Sequence, residues 1–234
     1  MPWNPYYEDW AAVHGETYAW RARALVRSRF GIEARAQEAD TRLELREMRG
    51  LMIHTYAFAV PCEEGLACIA RYAPIVEMGA GNGYWARCLR DRGVDVVAYD
   101  EMGDQWRTYF HPVVLEVPRT RVSNGGRLKV LKPAGDETEP RLWTEVVKGG
   151  PERLADHSDR TLVLCWPDPW SGMDEASVRA YAGDHLVYVG ERGSHGPGTD
   201  GFRWLLRDQW REVERVPLPQ WDGCDDQLTV YERQ

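Results

Sequence analysis

The spacing of apolar and polar positions divides the chain into two parts. Residues 1–60 lack strand-like alternation and carry helical patterns over about 17–30 and 32–51. From residue 61 onward, short apolar runs alternate with helical patterns, which predicts a parallel sheet with crossover helices. We therefore expect an N-terminal helical, aromatic-rich cap, 1–60, followed by an α/β domain, 61–234.

The α/β part contains seven candidate strands separated by candidate helices, and its last two strands suit an antiparallel edge. The strands are predicted at 75–78, 94–99, 143–147, 161–166, 186–189, 212–216 and 227–231. The helices are predicted at 62–72, 84–92, 151–157, 173–182 and 199–210. Residues 103–142 show only one hairpin signal, SNGG, and are interpreted as an insertion.

Composition and charge narrow the class of protein. The 234 residues, 43% hydrophobic and 28% charged, are typical of one globular core. The net charge of -8 argues against a nucleic-acid partner, because phosphate binding needs a basic surface. The five cysteines show no zinc spacing and suit a reducing, cytoplasmic setting without a metal site. No signal peptide is evident and no apolar run approaches the ~20 residues of a membrane helix, so no membrane partner is expected.

The segment that joins the first strand to the first helix is rich in glycine. Gly79, Gly81 and Gly83 alternate within EMGAGNG. Glycine lets the backbone approach a ligand closely, and the free N–H groups of such a turn point at the ligand. The dinucleotide pattern G-x-G-x-x-G would place its third glycine at Tyr84, so the spacing counts against NAD.

Two carboxylates flank this loop. Glu77, at the end of the first strand, would repel a pyrophosphate but can accept a hydrogen bond from the amino group of a methionine moiety. Asp100, at the end of the second strand, can accept hydrogen bonds from both hydroxyls of an adenosine ribose. The combination fits S-adenosylmethionine. The alternative to a cofactor site is a tight turn with an ordinary helix cap at Asp100. In that case four positions would match the cofactor pattern by chance.

The segment from Glu77 to Gly83, with Asp100 downstream, resembles the cofactor motif of the class I S-adenosylmethionine-dependent methyltransferases. LCWPDPW, residues 164–170, is similar to the segment after their fourth strand. The resemblance covers about 74–231. It implies a Rossmann-like, mostly parallel seven-stranded sheet with helices on both faces, and S-adenosylmethionine as the cofactor. The cofactor contacts expected from it are Glu77, Gly79, Gly81 and Asp100. Gly83, Tyr84 and Trp166 are further candidates for contacting the cofactor.

One position departs from the family pattern. The polar residue that usually meets the adenine amino group, after the third strand, falls on the pair Gly149 and Gly150. Either backbone groups meet the adenine there, or the third strand lies elsewhere than predicted.

Methyl transfer from a sulfonium is a direct displacement, so positioning, worth ~7–11 kcal/mol, outweighs a general base, worth a factor of ~10²–10⁴. Three residues are nevertheless candidates for catalysis. Asp168 lies in WPDPW, which faintly resembles the [DNS]-P-P-[YFW] segment of amino-directed methyltransferases; the alternative is a rigid turn. Glu191 and His195 follow the fifth strand and are candidate bases, with a solvated loop as the alternative.

Aromatic residues suggest the substrate. Tyr6, Tyr7 and Trp10, together with Trp170, are candidates for binding a planar small molecule, although packing is the commoner role of such residues. We expect a small-molecule methyltransferase whose substrate is an aromatic or heteroaromatic, indole-like metabolite. The resemblance to capped small-molecule methyltransferases adds a homodimer as one option.

Two other function classes remain open on the sequence. A nucleic-acid amino-methyltransferase is suggested by the Asp-Pro-Trp segment and by the arginines of 21–29. A non-catalytic cofactor-binding module is the third class, although nothing degenerate in the glycine loop supports it.

Overall fold

The computed structural model describes residues 4–13, 49–50, 52–53, 55–103, 142–191, 196–221 and 223–234. The helical pattern predicted at 17–30, most of that at 32–51, and the insertion with its SNGG hairpin signal lie outside these residues.

The described residues form helices and strands in an alternating order from residue 63 onward. The helices are α1 (Pro5–Val13), α2 (Glu63–Ala70), α3 (Tyr84–Arg90), α4 (Met173–Ala180) and α5 (Asp200–Gln209), with a 3₁₀ helix at Pro151–Asp156. The strands are β1 (Ile75–Met78), β2 (Val96–Asp100), β3 (Val147–Lys148), β4 (Thr161–Cys165), β5 (His185–Glu191), β6 (Trp210–Pro217) and β7 (Asp226–Arg233).

The strands form one seven-stranded sheet in the order β3-β2-β1-β4-β5-β7-β6. Strands β1 to β5 are parallel, and β7 runs antiparallel to both β5 and β6. The predicted sheet and its antiparallel edge are therefore confirmed. The strand order reverses between β1 and β4, and such a switch point leaves a crevice at the carboxyl ends of the strands.

The two faces of the sheet carry separate apolar clusters, because successive strand residues point to opposite faces. Ile75 of β1 packs with α2 and α3, whereas Val76 and Met78 pack with α4 and α5. Helices thus cover both faces, as predicted. Tyr6 and Tyr56 from the N-terminal part belong to the first cluster. The division of the chain into a cap, 1–60, and a domain, 61–234, stays a prediction.

Several element boundaries differ from the prediction by a few residues, and two of these differences have a structural reason. The third strand was expected at 143–147, but β3 has only two residues, because Trp143 bonds instead to the glycine loop through its N–H and the carbonyl of Asn82, at 2.9 Å. Strand β6 begins at Trp210, directly after α5, without the turn residues that would have marked the change.

Strand β6 forms one edge of the sheet. Its side chains are mostly exposed, and they include two arginines and two glutamates. Several of these side chains form ion pairs, namely Arg211–Glu232, Arg215–Glu212 and Arg71–Glu214.

Candidate active site

The glycine loop lies between the carboxyl end of β1 and the start of α3. All three glycines adopt a left-handed backbone, with φ of 74° at Gly79, 56° at Gly81 and 78° at Gly83. A Cβ at Gly79 would lie 2.6 Å from Met173 Cε, and one at Gly83 would lie 2.8 Å from Val146 Cγ2. A Cβ at Gly81 would have no neighbour within 4 Å among the described residues. Packing therefore requires the outer two glycines, whereas the middle one faces open space.

Asp100 ties the end of β2 to this loop. Its Oδ2 accepts a hydrogen bond from the Gly81 N–H at 3.0 Å, and its Oδ1 accepts one from the Met102 N–H at 2.9 Å. The side chain is buried, at 6% exposure. Each carboxylate oxygen has a second lone pair, so the group can hold the loop and still accept from a ligand hydroxyl.

Glu77 lies on the same face of the sheet, because its partner Ala98 stands two residues before Asp100. It is 2% exposed and accepts a hydrogen bond from the backbone N–H of Ala86 in the first turn of α3. Its Oε2 has no hydrogen-bond partner among the described residues. Burial raises the pKa of Glu77 to about 8, although the charge of Arg90 and the Ala86 N–H act in the opposite direction. An unpartnered buried carboxyl of this kind suits a cationic ligand.

Trp166 follows β4, which is the neighbour of β1 across the switch point. Its φ is 49°, a conformation that bulky residues rarely adopt and that is often found at functional sites. Its ring stacks on Phe58 with centroids 5.3 Å apart, and the Arg49 guanidinium lies 5.4 Å from its centroid. The Trp166 Nε1–H donates to Asp226 Oδ1 at 2.6 Å.

Asp226 is fully buried at the start of β7, opposite Glu191 in the antiparallel pair. Burial raises its pKa to about 6, while the hydrogen bond from Trp166 and the charge of Arg49 lower it and Glu191 raises it further. Neither Asp226 nor Arg49 was selected from the sequence. One signal for Asp226 was available: an antiparallel strand begins at the edge where its parallel neighbour ends. No local pattern marks Arg49.

The predicted catalytic residue Asp168 lies in an exposed turn after β4. Its Oδ1 accepts from the N–H groups of Trp170 and Ser171, each at 2.8 Å, and its Oδ2 accepts from the Ser171 hydroxyl. Burial raises the pKa of this carboxyl, but the hydrogen bonds outweigh that effect and leave the pKa below its ordinary value. The turn interpretation of this segment accounts for these bonds.

The other predicted site residues near this edge are placed differently. The Trp170 side chain is 88% exposed, next to the Asp168 turn. Glu191, the last residue of β5, is half-buried and hydrogen-bonds to Cys224. His195 lies outside the described residues. Their proposed roles stay predictions.

Two of the predicted ligand residues, Tyr6 and Tyr84, are buried in the core. The Trp221 Nε1–H donates to the Tyr6 hydroxyl at 3.0 Å, and the Tyr84 hydroxyl donates to Asn4 Oδ1 at 2.9 Å. The Tyr6 ring also stacks on Tyr56, with centroids 4.9 Å apart. These contacts account for both tyrosines as packing residues, and their ligand roles stay predictions.

Tyr7 and Trp10, the other two predicted substrate residues, lie on α1, where Tyr7 is exposed and Trp10 is partly buried against the first apolar cluster. Tyr7 is 41% exposed, and its ring lies 5.8 Å from that of Trp10. The Trp10 Nε1–H donates to the Gln220 carbonyl at 2.9 Å, which anchors α1 to the segment before β7.

Within the ranges that the structure describes, no group of three or more His, Cys, Asp or Glu could hold a metal ion. Among the described helices, none has the length and apolar character needed to cross a membrane.

Comparisons with known proteins found likeness only among solved structures. No protein-family model matches the chain, and no curated protein matches it. The Burkholderia thailandensis 1,6-didemethyltoxoflavin-N1-methyltransferase, solved with S-adenosylhomocysteine, is 12% identical, with a TM-score of 0.46 over 87% of this chain and 93% of that one. The magnesium protoporphyrin IX methyltransferase of Synechocystis PCC 6803, solved with S-adenosylmethionine, is 8% identical, with a TM-score of 0.43 over 99% and 98%. These values leave the activity to be argued from the chain's own residues.

The fold itself follows from the strands and helices described above. The sheet order reverses next to β1, helices cover both faces, and the glycine loop opens at the carboxyl edge. The chain has the Rossmann-like fold that its resemblance to the class I methyltransferases predicts.

Proposed function

We propose that the chain is an S-adenosylmethionine-dependent methyltransferase that acts on a small molecule with an aromatic or heteroaromatic, indole-like ring. The observation that carries the proposal is the pair of buried carboxylates, Glu77 and Asp100, on either side of a loop whose middle glycine faces open space. A structural turn explains the outer glycines, but it leaves the Glu77 oxygen without a partner within the described residues.

The residues present fit this cofactor group by group. Glu77 offers its Oε2, unpartnered among the described residues, to the methionine amino group, and Asp100 offers carboxylate oxygens, which can each accept more than one hydrogen bond, to the ribose hydroxyls. Gly81 leaves room for the ligand beside the backbone. When bound there, the cofactor would supply an electrophilic methyl group on its sulfonium.

The chain's contribution to catalysis would be mainly positioning. The carboxyl ends of β4 and β5 bring Trp166 and Glu191 to the same edge as the glycine loop. Trp166 and Phe58 offer flat apolar surface against which the ring of a methyl acceptor could be positioned. Glu191, Asp168 and His195 stay candidates for accepting the proton, and Trp170 stays a candidate for contacting the ring.

Two measurements test the proposal. Calorimetry of the purified chain with S-adenosylmethionine and with S-adenosylhomocysteine should show saturable binding of both, and binding of neither would refute it. A panel of indoles, phenols and amines, incubated with methyl-labelled cofactor, should then yield labelled product from a ring-bearing compound. Transfer to aliphatic compounds alone would refute the aromatic part and leave the methyltransferase part intact.

A further inference from the structure

We propose that Arg49, Trp166 and Asp226 form the binding site for the methyl acceptor. We further propose that they select a planar ring carrying an N–H or O–H group beside a carbonyl oxygen, as in a lactam. This inference rests on the methyltransferase function proposed above, because it names the substrate class for the same edge of the sheet.

The first observation is that buried polar atoms of Asp226 and Arg49 lack hydrogen-bond partners among the described residues. Asp226 is fully buried, and its Oδ2 has no hydrogen-bond partner among the described residues. The Nε and Nη2 atoms of Arg49 are also buried, and within the same residues they too lack partners. Groups of this kind are rarely left unpaired in a native protein, so a missing molecule is expected between or beside them.

The second observation is that the two groups are near each other without being paired. The Arg49 charge lowers the pKa of Asp226, yet Arg49 Nε and Nη2 and Asp226 Oδ2 all lack a hydrogen-bond partner among the described residues. Both are joined through Trp166: Asp226 Oδ1 accepts from its Nε1–H, and the Arg49 guanidinium lies beside its ring. The Trp166 indole therefore contacts both the donor, Arg49, and the acceptor, Asp226.

The third observation is the position of this cluster relative to the glycine loop. Trp166 directly follows β4, which pairs with β1, the strand that leads into the loop. Neighbouring strands lie about 4.8 Å apart, so the cluster stands one to three strands from the proposed cofactor. This is where a methyl acceptor has to lie, at the carboxyl edge beside the switch point.

The chemistry of the cluster selects the ligand. A ligand N–H or O–H satisfies Asp226 Oδ2, and a carbonyl oxygen beside it satisfies the Arg49 N–H groups. A plain indole supplies the donor only, and a benzoate supplies acceptors only and would face the carboxylates of Asp226 and Glu191. The stacked rings of Trp166 and Phe58 favour a flat molecule over an aliphatic amide.

The test uses 2-quinolone as the probe, because it is a flat bicyclic lactam. Its affinity for the full chain is measured by calorimetry or ligand-observed NMR, with and without S-adenosylhomocysteine. Indole, which lacks the carbonyl, and 1-methyl-2-quinolone, which lacks the N–H, serve as matched compounds. We expect 2-quinolone to bind about tenfold or more tightly than either, because each lacks one of the two buried hydrogen bonds.

Variants localise the binding. Arg49→Gln and Asp226→Asn should each weaken 2-quinolone binding by about tenfold or more, the latter because an amide N–H2 replaces the accepting oxygen. Thr229→Val is the control, since Thr229 is another fully buried residue of β7 whose Oγ1 lacks a partner among the described residues. It should leave the affinity unchanged. Thermal melts confirm that each variant folds.

The outcomes separate the two proposals. Absence of 2-quinolone binding, equal binding of the three compounds, or unchanged affinity in folded Arg49→Gln and Asp226→Asn would overturn this inference; trapped water would then account for the unpaired atoms. S-adenosylhomocysteine binding is read independently in the same samples. If 2-quinolone binds and S-adenosylhomocysteine does not, the proposed ligand site stands and the proposed methyltransferase function is contradicted.

Discussion

At the scale of single residues, the backbone conformation of Gly81 favours glycine, whereas the space around it would admit a side chain. Its left-handed backbone favours glycine for local reasons, but the space where a side chain would stand contains no atom within 4 Å among the described residues. Gly93, which follows α3, has the same two properties at a φ of 78°, far along the helix from the loop. Alanine variants of Gly81 and Gly93 therefore distinguish the effect of backbone strain, which both would have, from the loss of ligand space, which only Gly81 would have.

We expect Gly81→Ala and Gly93→Ala to lose similar stability, about 1–2 kcal/mol each, because both place alanine in a left-handed conformation. Only Gly81→Ala should lose affinity for S-adenosylhomocysteine, since its methyl group would enter the ligand space. Denaturant unfolding and calorimetry measure the two quantities. Equal cofactor affinity in the two variants would contradict the proposed position of the ligand.

The raised pKa of Glu77, about 8, makes a second prediction, on stability. Below its ordinary pKa near 4.5 the carboxyl is neutral in both folded and unfolded chains, so stability is fully present there. As the pH rises toward 8, only the unfolded chain ionises, and stability falls by up to about 1.4 kcal/mol per pH unit. Glu77→Gln should remove this fall, measured as the difference in unfolding free energy between variant and wild type from pH 5 to 8. A constant difference over that range would contradict the prediction.

The same group predicts how cofactor binding depends on pH. A cationic amino group binds the ionised form of Glu77, so the affinity for S-adenosylmethionine should rise with pH up to about 8 and then level off. Calorimetry in buffers of different ionisation enthalpy would detect the proton released on binding at pH 7. Glu77→Gln should bind more weakly and release no such proton, whereas release that persists in this variant would assign the proton to another group.

At the scale of elements, Asp174 joins two helices on one face of the sheet. It is fully buried near the start of α4, and its carboxylate accepts from the N–H of Thr199 at 2.6 Å and from its hydroxyl at 3.1 Å. The Thr199 hydroxyl in turn accepts from the Phe202 N–H, which caps α5. The start of α5 therefore depends on a residue of the preceding helix.

Asp174→Ala should destabilise the chain by about 2–4 kcal/mol, because it removes a fully buried carboxylate and leaves partly buried donors of Thr199 without this partner. Asp200→Ala is the matched control on α5, since the Asp200 side chain is 86% exposed and its ion pair with Arg203 is worth less than about 1 kcal/mol. Denaturant unfolding measures both. Equal losses in the two variants would contradict the joining role of Asp174.

The elements also show what the sequence could predict and why the rest was hidden. Strands β1, β4 and β5 are apolar runs bounded by turn residues, so their own composition marks them. The loop glycines and the two flanking carboxylates lie within one short segment and its next strand. By contrast, β3 was misplaced because the segment before it bonds to the glycine loop, a contact between residues about sixty positions apart.

The cluster of Arg49, Trp166 and Asp226 was hidden for the same physical reason. Its members come from three distant parts of the chain and meet only after the sheet has formed. Arg49 and Asp226 have no neighbour pattern that distinguishes them from an ordinary surface arginine or turn aspartate. Trp166 was predicted from its place after the fourth strand, but as a contact of the cofactor.

At the scale of the whole molecule, the described N-terminal residues share a core with the sheet. Tyr6 is fully buried against Tyr56 and Tyr84, whereas its neighbour Tyr7 is partly exposed. Tyr6→Ala should therefore cost about 3–5 kcal/mol, and Tyr7→Ala less than about 1 kcal/mol. Both variants should unfold in a single transition when denaturant unfolding is measured. Two transitions, or equal losses, would show that the N-terminal part folds separately from the sheet.

The charged edge strand β6 affects how copies of the chain can associate. An exposed sheet edge invites a strand from another copy, and proteins resist this with charged side chains. On β6 the arginines and glutamates are already engaged with one another and with neighbouring residues. A second chain adding itself along this strand would have to strip water from these groups and separate them. We therefore expect β6 to limit fibre-like growth, and any homodimer to use another surface.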